Sequence, residues 1–275
     1  MELGTATLLE LETIVHWATA EGWNPGIEDA AVFFDTDPEG FFVARKDGAL
    51  AAGISVVNHS PKFAFLGLYI CRQDLRGQGL GFELWRHALA HAGTRTIGLD
   101  GVPDQQANYK KSGFDPGGQT HRYMGKIPPK SDDSLRPMTL KDYPAVAAMD
   151  TDANGYARNA FLEAWTTETA TRRSLVMEQD GKVCGFVTAR RCQRGVKIGP
   201  LVAGSDDNAK TLLHGAATLF PDNSAMIDIP DTVTGLSAHC KSLKMKVHFV
   251  TARMYRGKAP KQGPLLQAVA TLELG

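Results

Sequence analysis

The two halves of this chain repeat each other. Asp47-Gly48 stands before the apolar run Leu50–Val57, and Asp180-Gly181 stands before Val183–Thr188. Phe65-Leu66-Gly67-Leu68 is matched by Lys197-Ile198-Gly199-Pro200-Leu201, Gly98-Leu99-Asp100 by Met226-Ile227-Asp228, and Arg122-Tyr123-Met124 by Arg253-Met254-Tyr255. The offsets are 133, 132, 128 and 132 residues, in the same order along the chain. A nearly constant offset predicts a tandem duplication of one fold. Length agrees, since 275 residues suit two domains at roughly 150 residues each. The seam is the stretch 125–138, which holds three prolines and a Ser/Asp cluster. Pro128-Pro129 favours an extended spacer. The expected units are residues 1–127 and 135–275, with 128–134 as linker.

Within the first half, Leu8–Ala20 has helical spacing and Ile27–Phe34 reads as a short second helix. Phe41–Arg45, Leu50–Val57 and Phe63–Ile70 read as strands, the first two joined by an Asp-Gly hairpin turn. Gly79–Ala92 places Leu80, Leu84, Ala88 and Ala92 on one helical face. Thr96–Leu99 is a strand, Gln105–Lys111 a helix closed by Ser112-Gly113, and Gln119–Gly125 a last strand. This mixture predicts an α/β layer fold with a partly antiparallel sheet.

Thirty basic and thirty acidic residues cancel, which argues against a broad nucleic-acid surface or an anionic-membrane anchor. No apolar run approaches the ~18–20 residues needed to span a bilayer. The N-terminal stretch carries acids and no basic n-region, so it does not read as a signal peptide. Cys71, Cys184, Cys192 and Cys240 form no C-x-x-C pair, which predicts reduced thiols in a cytoplasmic protein. No metal-ligand cluster is visible. A monomer or a homodimer is expected.

Chemistry concentrates at Arg76-Gly77-Gln78-Gly79-Leu80-Gly81, between an apolar strand and an amphipathic helix. Glycines let main chain approach a ligand closely. A helix start offers unpaired N–H groups and the positive end of a dipole, which suits a pyrophosphate. Arg76 adds a charge-assisted donor. The run lacks the Gly-Lys-Ser/Thr of a Walker loop and the spacing of a dinucleotide loop. By itself it is equally a tight strand-to-helix turn.

The R-x-x-G-x-G pattern resembles the acyl-CoA loop of the GNAT N-acetyltransferase superfamily. Asn108-Tyr109-Lys110-Lys111-Ser112-Gly113-Phe114 resembles that family's downstream region in its Tyr, Gly and Phe spacing. Asn108 departs from the pattern, because it sits beside the tyrosine rather than well before it. The resemblance covers residues 1–125. It implies tandem GNAT-like folds of the α/β (α+β) class, each a mixed, largely antiparallel sheet flanked by helices. It implies that acetyl-CoA enters between two splayed parallel strands. Leu68, Tyr69 and Ile70 would pair with its pantetheine arm, Asn108 would assist, and residues 77–81 would hold the pyrophosphate. A primary amine would attack the thioester directly, with Tyr109 as acid toward the leaving thiolate. For the base, Glu21, Glu28, Asp29, His59 and Asp100 are open, Asp100 being placed best, at a strand end beside the gap. The segment Glu21–Gly26 would border the acceptor pocket, with Trp23 and Asn24 on its wall and His121 a weaker candidate. The competing class is an acyl-CoA sensor or assembly module that does no chemistry.

The second half lacks the loop. The positions offset by 132 from 76–81 read Asn208-Ala209-Lys210-Thr211-Leu212-Leu213, without glycine and just after Asp206 and Asp207, which would repel a pyrophosphate. Cys240 falls opposite Tyr109 and reads as an inert thiol or, less simply, a nucleophile. The second half is expected to be a degenerate GNAT-like unit closing the acceptor pocket. Leu265–Leu274 reads as a strand with no counterpart before the linker, expected to fasten the halves together.

Overall fold

A computed structural model describes residues 1–220 and 224–275. The first half runs β1 (Glu2–Thr5), α1 (Leu8–Ala20), α2 (Asp29–Thr36), β2 (Phe41–Lys46), β3 (Ala49–Asn58), β4 (Phe63–Cys71), α3 (Leu80–Leu89), β5 (Thr96–Gly101), α4 (Gln106–Lys111) and β6 (Asp115–Gly125). The second runs β7 (Leu135–Pro137), α5 (Tyr143–Asn154), α6 (Asn159–Thr166), β8 (Arg172–Gln179), β9 (Lys182–Arg191), β10 (Val196–Ala203), α7 (Asp206–Leu219), β11 (Ala225–Pro230), α8 (Thr234–Ser242), β12 (Lys246–Arg256) and β13 (Leu266–Ala268). Local chemistry sets the boundaries. Thr7 and Glu10 form a capping box that starts α1. Asp47-Gly48 and Asp180-Gly181 all take positive φ, as a two-residue hairpin turn requires.

The described strands form one continuous thirteen-stranded sheet rather than two separate ones. Its order is β1-β2-β3-β4-β5-β12-β6-β11-β10-β9-β8-β7, with β13 added on β10. The pairs β4–β5 and β10–β11 are parallel, and the other pairs are antiparallel. The two halves exchange their last long strands. First-half β6 lies against β11, from Gly125 opposite Ala225 to Thr120 opposite Pro230. Second-half β12 lies against β5, from Ala252 opposite Gly101 to Arg256 opposite Ile97. Each half therefore completes the other's sheet.

One apolar cluster packs α3 against the first half's sheet around Leu84, Trp85 and Phe114. A second packs α7 and α8 against the second half's sheet. A third spans both halves, joining Leu11, Ile14, Phe33 and Leu68 to Phe161, Trp165 and Leu274. Phe33 stacks on Trp165 at 6.1 Å and 4°. Inside this shared core Asp29, fully buried, accepts from Arg172 Nη2 at 2.7 Å, Arg190 Nε at 3.1 Å and the Gly26 amide at 2.7 Å.

The C-terminal segment departs from expectation. Only Leu266–Ala268 is strand. It pairs with β10, and the Val269 amide donates to the Asp228 carbonyl of β11 at 3.0 Å. The chain then turns at Thr271, whose hydroxyl donates to the Glu273 carboxylate, and packs on the first half at Gly67 and Phe65. The turn ends strand pairing because the chain must leave β10 to reach β4. Among the described residues, no helix is long and apolar enough to cross a membrane.

Candidate active site

Strands β4 and β5 pair only from Phe63–Leu66 to Thr96–Leu99. Beyond that they part. Leu68 takes φ 47°, at a point where the β3–β4 register shifts. A non-glycine residue in that region marks a real constraint on the backbone, and here it bends β4 away from β5. The gap opens toward the loop after β4. Gly77 and Gly79 take φ 77° and 82°, and a Cβ on either would meet open space. Gly79 caps α3 without a side-chain cap. Among the described residues, none of the amides from Gly77 to Gly81 donates to a protein acceptor. Gly77, Gly79, Leu80 and Gly81 border a cleft of about 400 Å³ shared with Tyr69 and Ile70. Five free amides at a helix start are donors of the kind that suit an anion. Arg76 is turned aside, donating to Glu21 at 2.5 Å and to the Cys71 carbonyl at 3.0 Å. Gln78 accepts from Lys46 at 3.1 Å.

The inner end of the gap is a small cavity of about 60 Å³. Tyr69, Asp100, Tyr109, Arg122, Phe249 and Glu273 contribute to its wall. Tyr109 stacks on Trp85 at 5.4 Å and 16°. Burial, with the neighbouring Tyr69 phenol, pushes its hydroxyl well above the ordinary phenol range. It therefore holds its proton at neutral pH and can serve as a donor. Burial pushes Tyr69 up to about 12. Asp100 faces the same cavity, but both its oxygens accept from Arg253, at 3.0 and 2.7 Å. Asn108 lies at the surface, donating to Gln105 at 3.0 Å.

The Acetyltransferase (GNAT) family profile matches residues 8–114, and an Acetyltransferase (GNAT) domain profile matches 146–264. Holothin acyltransferase of Pseudoalteromonas sp. (strain SANK 73390) is 34% identical over 274 residues, covering 98% of this chain and 93% of that protein. This chain belongs to the GNAT acetyltransferase family. An uncharacterised N-acetyltransferase of Bacillus subtilis (strain 168) is 25% identical over 218 residues, 76% of each chain. In fold, the chain superposes on a proposed acetyltransferase from Pyrococcus horikoshii with TM-score 0.84 at 24% identity, over 100% of this chain and 95% of that one. A tandem GNAT protein from the clavulanic acid biosynthesis pathway gives TM-score 0.64 at 13% identity, covering 92% and 97%.

The second GNAT unit has the same splayed strands and a different occupant. Strands β10 and β11 pair only from Val196–Ile198 to Ala225–Ile227. The space beyond is taken by β13 and Val269, bonded to β10 on one side and β11 on the other. The chain's own backbone thus lies where a GNAT unit would otherwise admit a ligand. The helix start is closed too. Ser205 caps α7, accepting from the Asn208 amide at 3.2 Å, and Asp206 and Asp207 fill its first turn. Cys240 is fully buried, and burial pushes its thiol up to about 12.

The C-terminal segment crosses both units. The repeat-related glycines Gly67 and Gly199 each face it: a Cβ on Gly67 would overlap the Glu273 carbonyl, and one on Gly199 the Val269 carbonyl. Neither contact is legible in the sequence, because a glycine that accommodates another chain segment looks like any other glycine in a strand.

The acceptor-side candidates lie between the units. Trp23, Asn24, Arg122, Met124, Met226 and Phe249 help line a cavity of about 330 Å³. It shares Trp23, Arg122 and Phe249 with the inner end of the gap. Asn24 is itself spent on the other half, donating to the Arg194 carbonyl at 2.8 Å and accepting from the Arg194 amide at 3.3 Å. The Trp23 carbonyl accepts from Arg122 and from the buried Lys197, each at 3.0 Å. Of the other carboxylates, Glu28 accepts from Thr169 and Thr171 and lies outside the gap, as does Asp29. His59 Nε2 donates to the Leu274 carbonyl at 2.7 Å, and burial drives its pKa down to about 4. His121 meets Gln119 at 3.3 Å at the surface.

Proposed function

We propose that this GNAT protein transfers an acetyl group from acetyl-CoA to a primary amine by direct attack, in its first unit alone. Residues 1–127 are the catalytic unit in this reading, and 135–275, joined through 128–134, are a GNAT-like unit without an acyl-CoA site. The observation that carries it is the open gap between β4 and β5, with five unpartnered amides at its mouth and Tyr109 at its inner end. The amides of residues 77–81 receive the pyrophosphate, and Arg76 exchanges Glu21 for a phosphate oxygen. The edge of β4 at Leu68, Tyr69 and Ile70 pairs with the pantetheine arm as an added strand, with Asn108 beside it. The thioester carbon then lies near Tyr109, which protonates the departing sulfur. Asp100, locked to Arg253, fixes the β5–β12 wall. The acceptor enters between the units, past Trp23 and Asn24. Four free thiols suit a reducing compartment such as the cytoplasm.

The test is release of CoA thiol from acetyl-CoA in the presence of tryptamine, spermidine, glucosamine and a dipeptide, with mass detection of the acetylated amine. Longer acyl-CoAs are run beside it, since the relative from Pseudoalteromonas is named for acyl transfer. Amine-dependent release at least tenfold over background supports the reading. Micromolar acetyl-CoA binding without release would make the protein a sensor instead.

A further inference from the structure

The gap's wall holds a carboxylate that comes from the far end of the other unit. Glu273 is 4% exposed and lines the inner cavity together with Tyr109. One of its oxygens, Oε2, accepts from the Thr271 hydroxyl. Among the described residues, Oε1 makes no hydrogen bond, and neither oxygen forms an ion pair within 4.0 Å. A buried carboxylate with no directly contacting cation is expensive to maintain. It is kept because the segment carrying it is anchored on both sides. The Val269 amide is fixed to β11, the Leu274 carbonyl accepts from His59, and the Gly275 carbonyl accepts from Arg158. The Glu273 main chain lies directly over Gly67, the last residue before the Leu68 bend. Asp100 is the other carboxylate on this wall, and both its oxygens are bound by Arg253. Glu273 is therefore the carboxylate there with an oxygen still available.

Resting on the acyl-transfer reading above, we propose that Glu273 is the proton acceptor of the reaction, carried into the first unit's site by the C-terminal segment. The amine enters as free base. Its nitrogen lone pair forms the C–N bond while one N–H proton passes to Glu273, directly or through a single water. A cavity of about 60 Å³ has room for such a water. The C–S bond breaks and the leaving sulfur takes the Tyr109 proton. Return of the proton from Glu273 to the Tyr109 phenolate resets the site. The groups acting on Glu273 come from several strands. Arg122 of β6 and Lys197 of β10 bring positive charge. Tyr69 of β4, Asp100 of β5 and Tyr109 of α4 share its cavity, and Asp228 of β11 holds Arg122 through two bonds.

The experiment is Glu273→Gln in the full chain, assayed with acetyl-CoA and the amine of the panel that wild type turns over fastest. The expected result is a kcat lower by about 100-fold, with acetyl-CoA affinity within threefold of wild type. The wild-type kcat profile has an acid limb that the variant lacks. Unchanged kcat, or an acid limb that survives in Glu273→Gln, overturns the proposal while leaving acyl transfer intact. Failure of wild type to turn over any amine brings down both. Should Glu273→Gln not fold, Glu273→Asp replaces it: a retained limb with reduced kcat supports the role, and full kcat refutes it.

Discussion

Replacing Asp29 by Asn tests how the two units are held together. Asp29 sits on α2 of the first unit, and both arginines that bind it, Arg172 and Arg190, come from the second. Their guanidinium groups lie 4.7 and 4.4 Å from the Trp165 ring centroid, so neither reaches water. Removing the one negative charge leaves two buried cations facing each other. Breaking a buried ion pair on one side costs about 3–5 kcal/mol. In a chain of this size each kcal/mol lowers Tm by roughly 2–4 °C, so a fall of about 6–20 °C is expected by calorimetry. Because the strands are exchanged, both units should melt in one transition at the lowered temperature. The pH dependence has a definite sign. Burial alone would raise the Asp29 pKa, but Arg190 and Arg172 outweigh it and hold the carboxyl below its ordinary value. Its contribution is complete above the unfolded value of about 3.9 and disappears as pH falls through the lower folded value. Asp29→Asn should lack that acid loss. A cost under about 1 kcal/mol, or separate melting of the two units, would show that Asp29 does not hold the units together.

Gly67→Ala should expel the C-terminal segment, since the new methyl overlaps the Glu273 carbonyl. Loss of the buried Leu274 side chain and its bond to His59 costs roughly 2–4 kcal/mol, read by urea denaturation, and kcat should fall with it. Tyr109→Phe should lower kcat at least 100-fold while acetyl-CoA affinity stays within a few-fold, measured by steady-state kinetics and titration. His59 is buried neutral, with a pKa near 4, against about 6.5 in the unfolded chain. Stability should be full above pH 6.5 and fall by up to about 3 kcal/mol as pH drops toward 4. His59→Phe should flatten that part of the pH–stability curve.

Local features were the legible ones. The paired Asp-Gly turns, the loop at Arg76–Gly81 and the capped helix at Ser112-Gly113 each follow from short-range backbone rules, and their repetition marks two units. The strand exchange left no such trace. Strands β6 and β12 occupy the same repeat position, and neither Asp115–Gly125 nor Lys246–Arg256 carries a local signal that assigns it to one sheet edge. The choice between edges is made by tertiary packing. Strand β1, only Glu2–Thr5 with partly exposed residues, carries too little alternation to be read. The sequence offers Asp29 only as one of several candidates for the base, because nothing local announces the two arginines more than 140 residues away. Glu273 had one signal: a lone acid inside the apolar run from Leu265 to Leu274. Read as a strand residue it would face solvent. The turn at Thr271 points it inward instead.

On the acyl-transfer reading proposed above, the duplicated fold keeps a single acyl-CoA site. In the first unit the gap and its five amides are open, and in the second they are occupied by β13 and capped by Ser205. Calorimetric titration of the full chain with acetyl-CoA measures this directly. One site per chain is predicted, abolished by Gly79→Glu, which puts bulk and negative charge at the start of α3. Two sites per chain, or one site that survives Gly79→Glu, would contradict it.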